Sequence, residues 1–292
     1  MFNIVKNRFV LYSVSAVIIL IGVVMAFVNG GFNLDVEFAG GTEIYAELGK
    51  EFDSNAMQKA VDAVTEKNAK VQTVDGTNAS IKLAEVSDEE ITAIREVLVK
   101  DFKVDEKAIS ENTISETVGN ELKKNALVGA LIAVVLMLIY IWIRFELLSG
   151  FAAVCALIHD VLIMLSAYAI FQIPVDTSMI AAVLTILGYS INATIVLFDR
   201  VREASRLQHK EAFETIVQKS VKDTMGRSIN TTITTLIVLV VLWILGVDSI
   251  RTFTLPIIVG VVAGFYSSVF LSGNFWIFFK KLRKDKNVVA SK

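Results

Sequence analysis

His159 and Asp160 stand side by side in Leu147 to Val175, a stretch otherwise free of charge. A lone carboxylate at membrane depth is costly unless it is protonated, paired or wetted, so an intramembrane acid marks an ion or proton path by default. Asp160 should therefore face the interior of a helix bundle. It serves there either as a structural carboxylate bonded to a neighbouring helix, or as a group that exchanges a proton or contacts an ion. His159 is an ion-path candidate beside it, although adjacent helical positions diverge by about 100° and cannot both face one site squarely.

A second polar group, Tyr189, Ser190, Asn192 and Thr194, interrupts another apolar run. The Asn192 amide can bond across to another helix, so these residues are either glue between helices or contacts for an ion. Arg227 borders the next apolar run, where a cation anchors the cytoplasmic edge by snorkelling. Thr231, Thr232, Thr234 and Thr235 either line a hydrated path or bond their own backbone carbonyls. Gly260, Gly264 and Ser268 make a small-residue stripe that lets helices approach closely, a packing feature.

These residues need a membrane scaffold. Of 292 residues, 54% are hydrophobic and 20% charged, too apolar for a soluble domain. The single cysteine, Cys155, and only two histidines exclude a disulfide framework and a His-rich zinc site. A spanning helix needs about 20 apolar residues. Phe9 to Val28 and 125–143, 147–175, 177–198, 228–247 and 252–279 meet that length, which predicts six transmembrane helices. The first is read as a retained anchor because no small-x-small cleavage site follows it.

Charge sets the orientation. Residues 30–124 carry 11 Lys/Arg against 20 Asp/Glu, a net of −9, while the rest carries 17 against 10, a net of +7. Placing both termini in the cytoplasm puts Lys6, Arg8, Arg144, the basic residues of the 199–227 loop (Lys210 and Arg227 among them) and the 280–292 tail inside, leaving Arg251 in the two short outside loops. Residues 1–29 then hold the N-terminus and first span, and 30–124 form one exported domain. One span, a large domain and five spans suggest a three-plus-three repeat.

Within the exported domain, alternation in 33–49 predicts a strand. A helix follows from Asn55 to Lys67, capped by Asp53 or Ser54. Lys70 to Val74 and Ala79 to Ala84 are strands around the turn Asp75-Gly76-Thr77-Asn78. Ser87 with Glu90 is a capping box for a helix from Asp88 to Phe102, and Ala108 to Thr117 is a last strand. The order βαββαβ is that of an α+β, ferredoxin-like unit, here an acidic binding or spacer domain. Phe213, Ile216, Val217 and Val221 recur at helical spacing in 199–226, which predicts an amphipathic cytoplasmic helix on the membrane surface or a partner. Its basic residues are too mixed with acids for nucleic acid. The 280–286 cluster is a topology anchor beside the lipid bilayer.

Several motifs then fall into one pattern: Phe38-Ala39-Gly40-Gly41-Thr42, Glu116-Thr117-Val118-Gly119 with Leu122, His159-Asp160, and Gly188 to Glu203 with Asp199 and Arg200. Arg227, the threonine run and Leu255 to Gly260 fit it too. Together they resemble the SecF family of the Sec protein-export machinery. The resemblance implies a bacterial plasma-membrane subunit paired with SecD. Such a subunit is related to resistance-nodulation-division transporters and uses an ion gradient, H⁺ or Na⁺, to help a translocating preprotein leave the SecYEG translocon. It implies no soluble cofactor, and it implies that Arg227 balances a carboxylate. One position departs from the pattern. Many such proteins resemble Asn-Asp-Thr where this chain has Asn192-Ala193-Thr194, and alanine binds no proton. Either SecD supplies the titratable carboxylate, or Asp160 does, or the coupling differs.

Two rivals are weaker. A small-molecule exporter of the resistance-nodulation-division type would need this chain to dimerise, because it has half the expected spans. Gly188-x-Ser190 with His159 resembles the serine motif of rhomboid proteases. However, Ile191 replaces the small residue, the histidine precedes the serine, and no oxyanion donor set is visible, so no enzymatic activity is expected.

Overall fold

The computed structural model describes residues 3–65, 69–74, 76–84, 86–144, 146–207 and 211–290, without the side chains of 144, 248, 249 and 284–290. Lys67 of the expected helix, which already stops at Asp62, Asp75 of the expected turn, Lys210, the Arg144 side chain and the tail lysines from Lys284 lie outside those described features.

The chain opens with helix α1 (Arg8–Val28) and a short helix α2 (Val36–Ala39). There follow β1 (Gly41–Glu47), α3 (Ser54–Asp62), β2 (Lys70–Val74), β3 (Asn78–Leu83), α4 (Asp88–Lys100) and β4 (Ile109–Ile114). Then come α5 (Glu116–Arg144), α6 (Leu147–Phe171), α7 (Thr177–Leu207) and α8 (Phe213–Leu245). The last path is α9 (Asp248–Tyr266), a π-helical turn (Ser267–Leu271) and α10 (Ser272–Ala290). Among the described residues, six helical stretches are long and apolar enough to cross a membrane, so this is a multi-pass membrane protein.

The small domain forms one antiparallel sheet in the order β2-β3-β1-β4. Ile44, Ile81, Met57, Val61, Ile94 and Leu98 on β1, β3, α3 and α4 make its buried core. Local chemistry follows the sequence at the helix starts. The Asp53 carboxylate accepts the N–H groups of Asn55 and Ala56, and Ser87 with Glu90 closes the expected capping box.

Two expectations need correction. The last strand stops at Ile114 rather than Thr117, because the Ser115 hydroxyl accepts the Val118 N–H at 3.4 Å as α5 begins. Nor, among the described residues, is there a separate amphipathic helix in 199–226. Its apolar residues belong to the C-terminal end of α7 and the N-terminal end of α8. Phe213 packs edge-on against Trp276, while Ile216, Val217 and Val221 join the bundle core. The bundle thus covers with its own last helix a face that the sequence pattern assigned to lipid or a partner. Lys280 and Lys281 also close this end, one over the Phe213 ring at 3.6 Å and the other on Glu214 at 2.8 Å.

The domain is tied to the bundle through its entry segment. Asp35 N–H donates to the Val175 carbonyl at 3.0 Å, and Val175 N–H to the Asn33 carbonyl at 2.8 Å. Phe38 is buried against Met164, Tyr168, Ile186 and Ile257 of the bundle.

Candidate functional site

Asp160 lies on the inward face of α6 and is fully buried. Three side chains surround its carboxylate. Oδ1 meets His159 Nδ1 at 2.9 Å, and Oδ2 accepts the hydroxyl of Ser267 at 2.8 Å and that of Ser190. His159 Nε2 in turn meets the Ser15 hydroxyl of α1 at 2.8 Å. One connected polar network therefore joins α1, α6, α7 and the π-helical turn. His159 and Asp160 share this site although adjacent helical residues cannot both face one squarely. An imidazole is long enough to fold back onto the carboxylate of the next residue, so the 100° divergence of their Cα–Cβ bonds does not separate their tips.

Helix irregularity and small side chains make this convergence possible. A π turn inserts an extra residue into a helix and re-aims its side chains, and such turns cluster at functional sites. Here it presents Ser267 to Asp160 and Ser268 to Thr194, whose hydroxyls lie 3.0 Å apart. Ser268 also donates to the Ser190 carbonyl at 3.3 Å, which links buried Thr194 to the same cluster. One turn earlier α9 presses against α7. A Cβ on Gly260 would stand 2.5 Å from Ile186 Cγ1, and one on Gly264 would stand 3.2 Å from Ser190 Cβ.

Asn192 and Arg227 lie elsewhere. Asn192 is exposed on the other face of α7, where it lines a cavity of about 150 Å³ with Tyr189, Ala193, Arg227, Ser228 and Thr231. Among the described residues, no carboxylate pairs with Arg227. The threonines nearby bond backward: Thr231, Thr232, Thr234 and Thr235 each donate to the carbonyl four residues earlier. Those bonds favour backbone satisfaction over a hydrated path. Thr232 also meets the Tyr189 hydroxyl at 2.8 Å, joining α8 to α7.

Ser15, His159 and Asp160 have the connectivity of a nucleophile, base and orienting acid. Ser15 lies inside α1, however, where the N–H groups beside it are consumed by helix bonds and cannot stabilise an oxyanion.

The family model described as protein export membrane protein SecD/SecF, C-terminal, matches residues 94–282. The chain is 37% identical over 288 residues to the protein translocase subunit SecF of Sebaldella termitidis, covering 97% of this chain and 93% of that one. With the SecF subunit of Acidaminococcus fermentans the identity is 34% over 291 residues, covering 97% and 99%. The chain belongs to the SecD/SecF family. Its fold also matches the crystal structure of SecDF, a translocon-associated membrane protein from Thermus thermophilus, with a TM-score of 0.86 and 29% identity. That match covers 96% of this chain and 39% of the longer SecDF chain.

Two of the SecF motifs quoted from the sequence, around Gly40 and around Gly119, meet in space. Gly40 and Gly41 have φ of 75° and 130°, and Gly119 packs so close that a Cβ on it would stand 3.2 Å from the Gly40 nitrogen. Thr42 meets the Thr113 hydroxyl at 3.0 Å across β1 and β4. Asp199 and Arg200 sit at the other end of the molecule. Arg200 bridges α7 to Asp223 of α8 at 2.6 Å, and Asp199 pairs with Arg202 at 3.9 Å. Sequence reasoning missed Ser15 and Ser267. A lone serine in an apolar helix carries no periodic signal, and a π turn has none that distinguishes it from α-helix.

Proposed function

We propose that this SecF-family chain pairs with SecD and helps a translocating preprotein out of the SecYEG translocon, drawing on a transmembrane gradient of H⁺ or Na⁺. It acts as a non-enzymatic subunit in the bacterial plasma membrane without a soluble cofactor. Residues 30–124 face outward, and the N-terminus, the 199–227 segment and the tail face the cytoplasm. The one-sided distribution of Lys and Arg supports that orientation. The βαββαβ order with the strand order β2-β3-β1-β4 supports a ferredoxin-like reading of the exported domain. One span, that domain and five spans support a three-plus-three repeat.

The observation that carries the coupling reading is the fully buried Asp160 with side chains of three other residues around its carboxylate. An ionisable group so placed in a transporter family is an ion or proton site first. Thr194 extends that site through Ser268, while Asn192 and Arg227 form a separate polar groove on the route or at the partner face. Gly260 and Gly264 bring α9 close enough to α7 to build the site. The test is export of a reporter by vesicles that carry this chain with SecD and SecYEG, with and without an imposed gradient. Asp160→Asn should assemble normally and lose the gradient-stimulated part of export. Export equal to wild type at every gradient would remove Asp160 from the coupling path.

A further inference from the structure

The hydrogen bonds around Asp160 commit both of its oxygens. Its Oδ2 takes two serine hydroxyls, Ser190 and Ser267, and its Oδ1 takes His159 Nδ1. His159 keeps one atom freer. With Nδ1–H committed to Asp160, Nε2 has one partner, the Ser15 hydroxyl at 2.8 Å. A hydroxyl both donates and accepts. It donates to a bare Nε2 and, rotated, accepts from Nε2–H, so the network takes up one proton without losing a hydrogen bond.

Resting on the coupling reading above, we propose that His159 Nε2 is the proton-binding atom of this membrane bundle. Asp160 is its fixed counter-charge and Ser15 the hydroxyl through which the proton passes. Uptake forms an Nε2–H bond with a proton from water. The positive charge sits 2.9 Å from the carboxylate, and release reverses the step. All five members of the network are buried, Ser15 and His159 at 6% and 8% exposed and Asp160, Ser190 and Ser267 at 0%. The titratable groups against the imidazole are Asp160 on its own helix and Tyr266 of α9, whose ring stacks at 6.1 Å between centroids. Ser15 of α1 and Ser190 of α7 contribute no charge. Because Ser15 belongs to α1 and His159 to α6, a shift of one helix against the other opens or closes the proton's route.

The chain has two histidines, His159 and His209, so His209→Gln leaves His159 as the sole imidazole. That variant, labelled with ¹⁵N-histidine and reconstituted in lipid with unlabelled SecD, gives one Nε2 resonance. The resonance is expected to move from the bare to the protonated position between pH 9 and pH 5, and to stay bare in Asp160→Asn. In the export vesicles, His159→Gln should keep the gradient-independent rate and lose the gradient-stimulated part. An Nε2 resonance that stays in one form across the pH range overturns the proposal. So does gradient-stimulated export that survives His159→Gln but not Asp160→Asn, an outcome that leaves the coupling reading standing. Survival in both variants removes the coupling reading and this proposal together.

Discussion

The carboxylate of Glu37 accepts both the backbone N–H and the hydroxyl of Thr177, at 2.9 and 2.8 Å. A residue just before the sheet thus caps α7, satisfying a donor that the helix leaves open and placing negative charge at the positive end of its dipole. Glu37→Ala should cost about 1 kcal/mol, a fall of roughly 2–4 °C in the melting temperature in detergent. Glu37→Gln, which keeps an acceptor and loses the charge, should fall between. An unchanged melting temperature for Glu37→Ala would mean that the cap contributes nothing to holding the domain on the bundle.

Gly30 and Gly41 both have positive φ, at 72° and 130°, but their surroundings differ. A Cβ at Gly30 meets nothing within 4 Å, whereas one at Gly41 would collide with the Leu83 carbonyl of the paired strand. Gly30→Ala should therefore cost only the backbone penalty of about 1–2 kcal/mol. Gly41→Ala adds a collision that the β1–β3 ladder must open to relieve. Thermal unfolding of the two variants should rank them clearly, and equal losses would show that steric contact at Gly41 is relieved by small shifts.

The gross architecture was legible because its physics is periodic or cumulative. Six apolar runs show as spans, and Asp53, Ser87 and Glu90 show as caps, because each satisfies a local backbone need. The site was half legible. Asp160 stands out because charge in an apolar run is expensive, but the serines of its network, Ser15, Ser190 and Ser267, come from three other segments, and only Ser190 fell in a visibly polar cluster. The adjoining ends of α7 and α8 were misread for a related reason. Periodicity shows that Phe213 and Ile216 have an apolar face but not what covers it, and here Trp276 and its neighbours do.

Ser267 and Thr235 offer a contrast between two hydroxyls of the membrane helices. Ser267 is buried and donates to Asp160, while Thr235 bonds its own helix at the Thr231 carbonyl. Ser267→Ala should cost about 1–3 kcal/mol, because it leaves a buried carboxylate short of a donor. Thr235→Ala should stay within about 0.5 kcal/mol of wild type. Denaturant unfolding in micelles measures both. A Ser267→Ala loss as small as that of Thr235→Ala would indicate that water replaces the serine and that the site is wetter than its packing implies.

Ala193 and Arg227 share the wall of the cavity between α7 and α8, and Asn192, Ser228 and Thr231 line it with them. Ala193→Asp would place a carboxylate in a groove that already holds a cation without an ion-pair partner among the described residues, with amide and hydroxyl groups at hand to share the charge. The substitution should therefore be tolerated alone and costly without the arginine. In a double-mutant cycle with Arg227→Leu, the introduced acid and Arg227 should couple favourably by about 0.5–3 kcal/mol in unfolding free energy. Ala193→Asp in the Arg227→Leu background should be the least stable of the four proteins, since it carries a carboxylate at membrane depth with no counter-charge. Additivity within about 0.5 kcal/mol would show that the two side chains do not meet, and that Arg227 is held at the membrane edge by lipid rather than aimed into the groove.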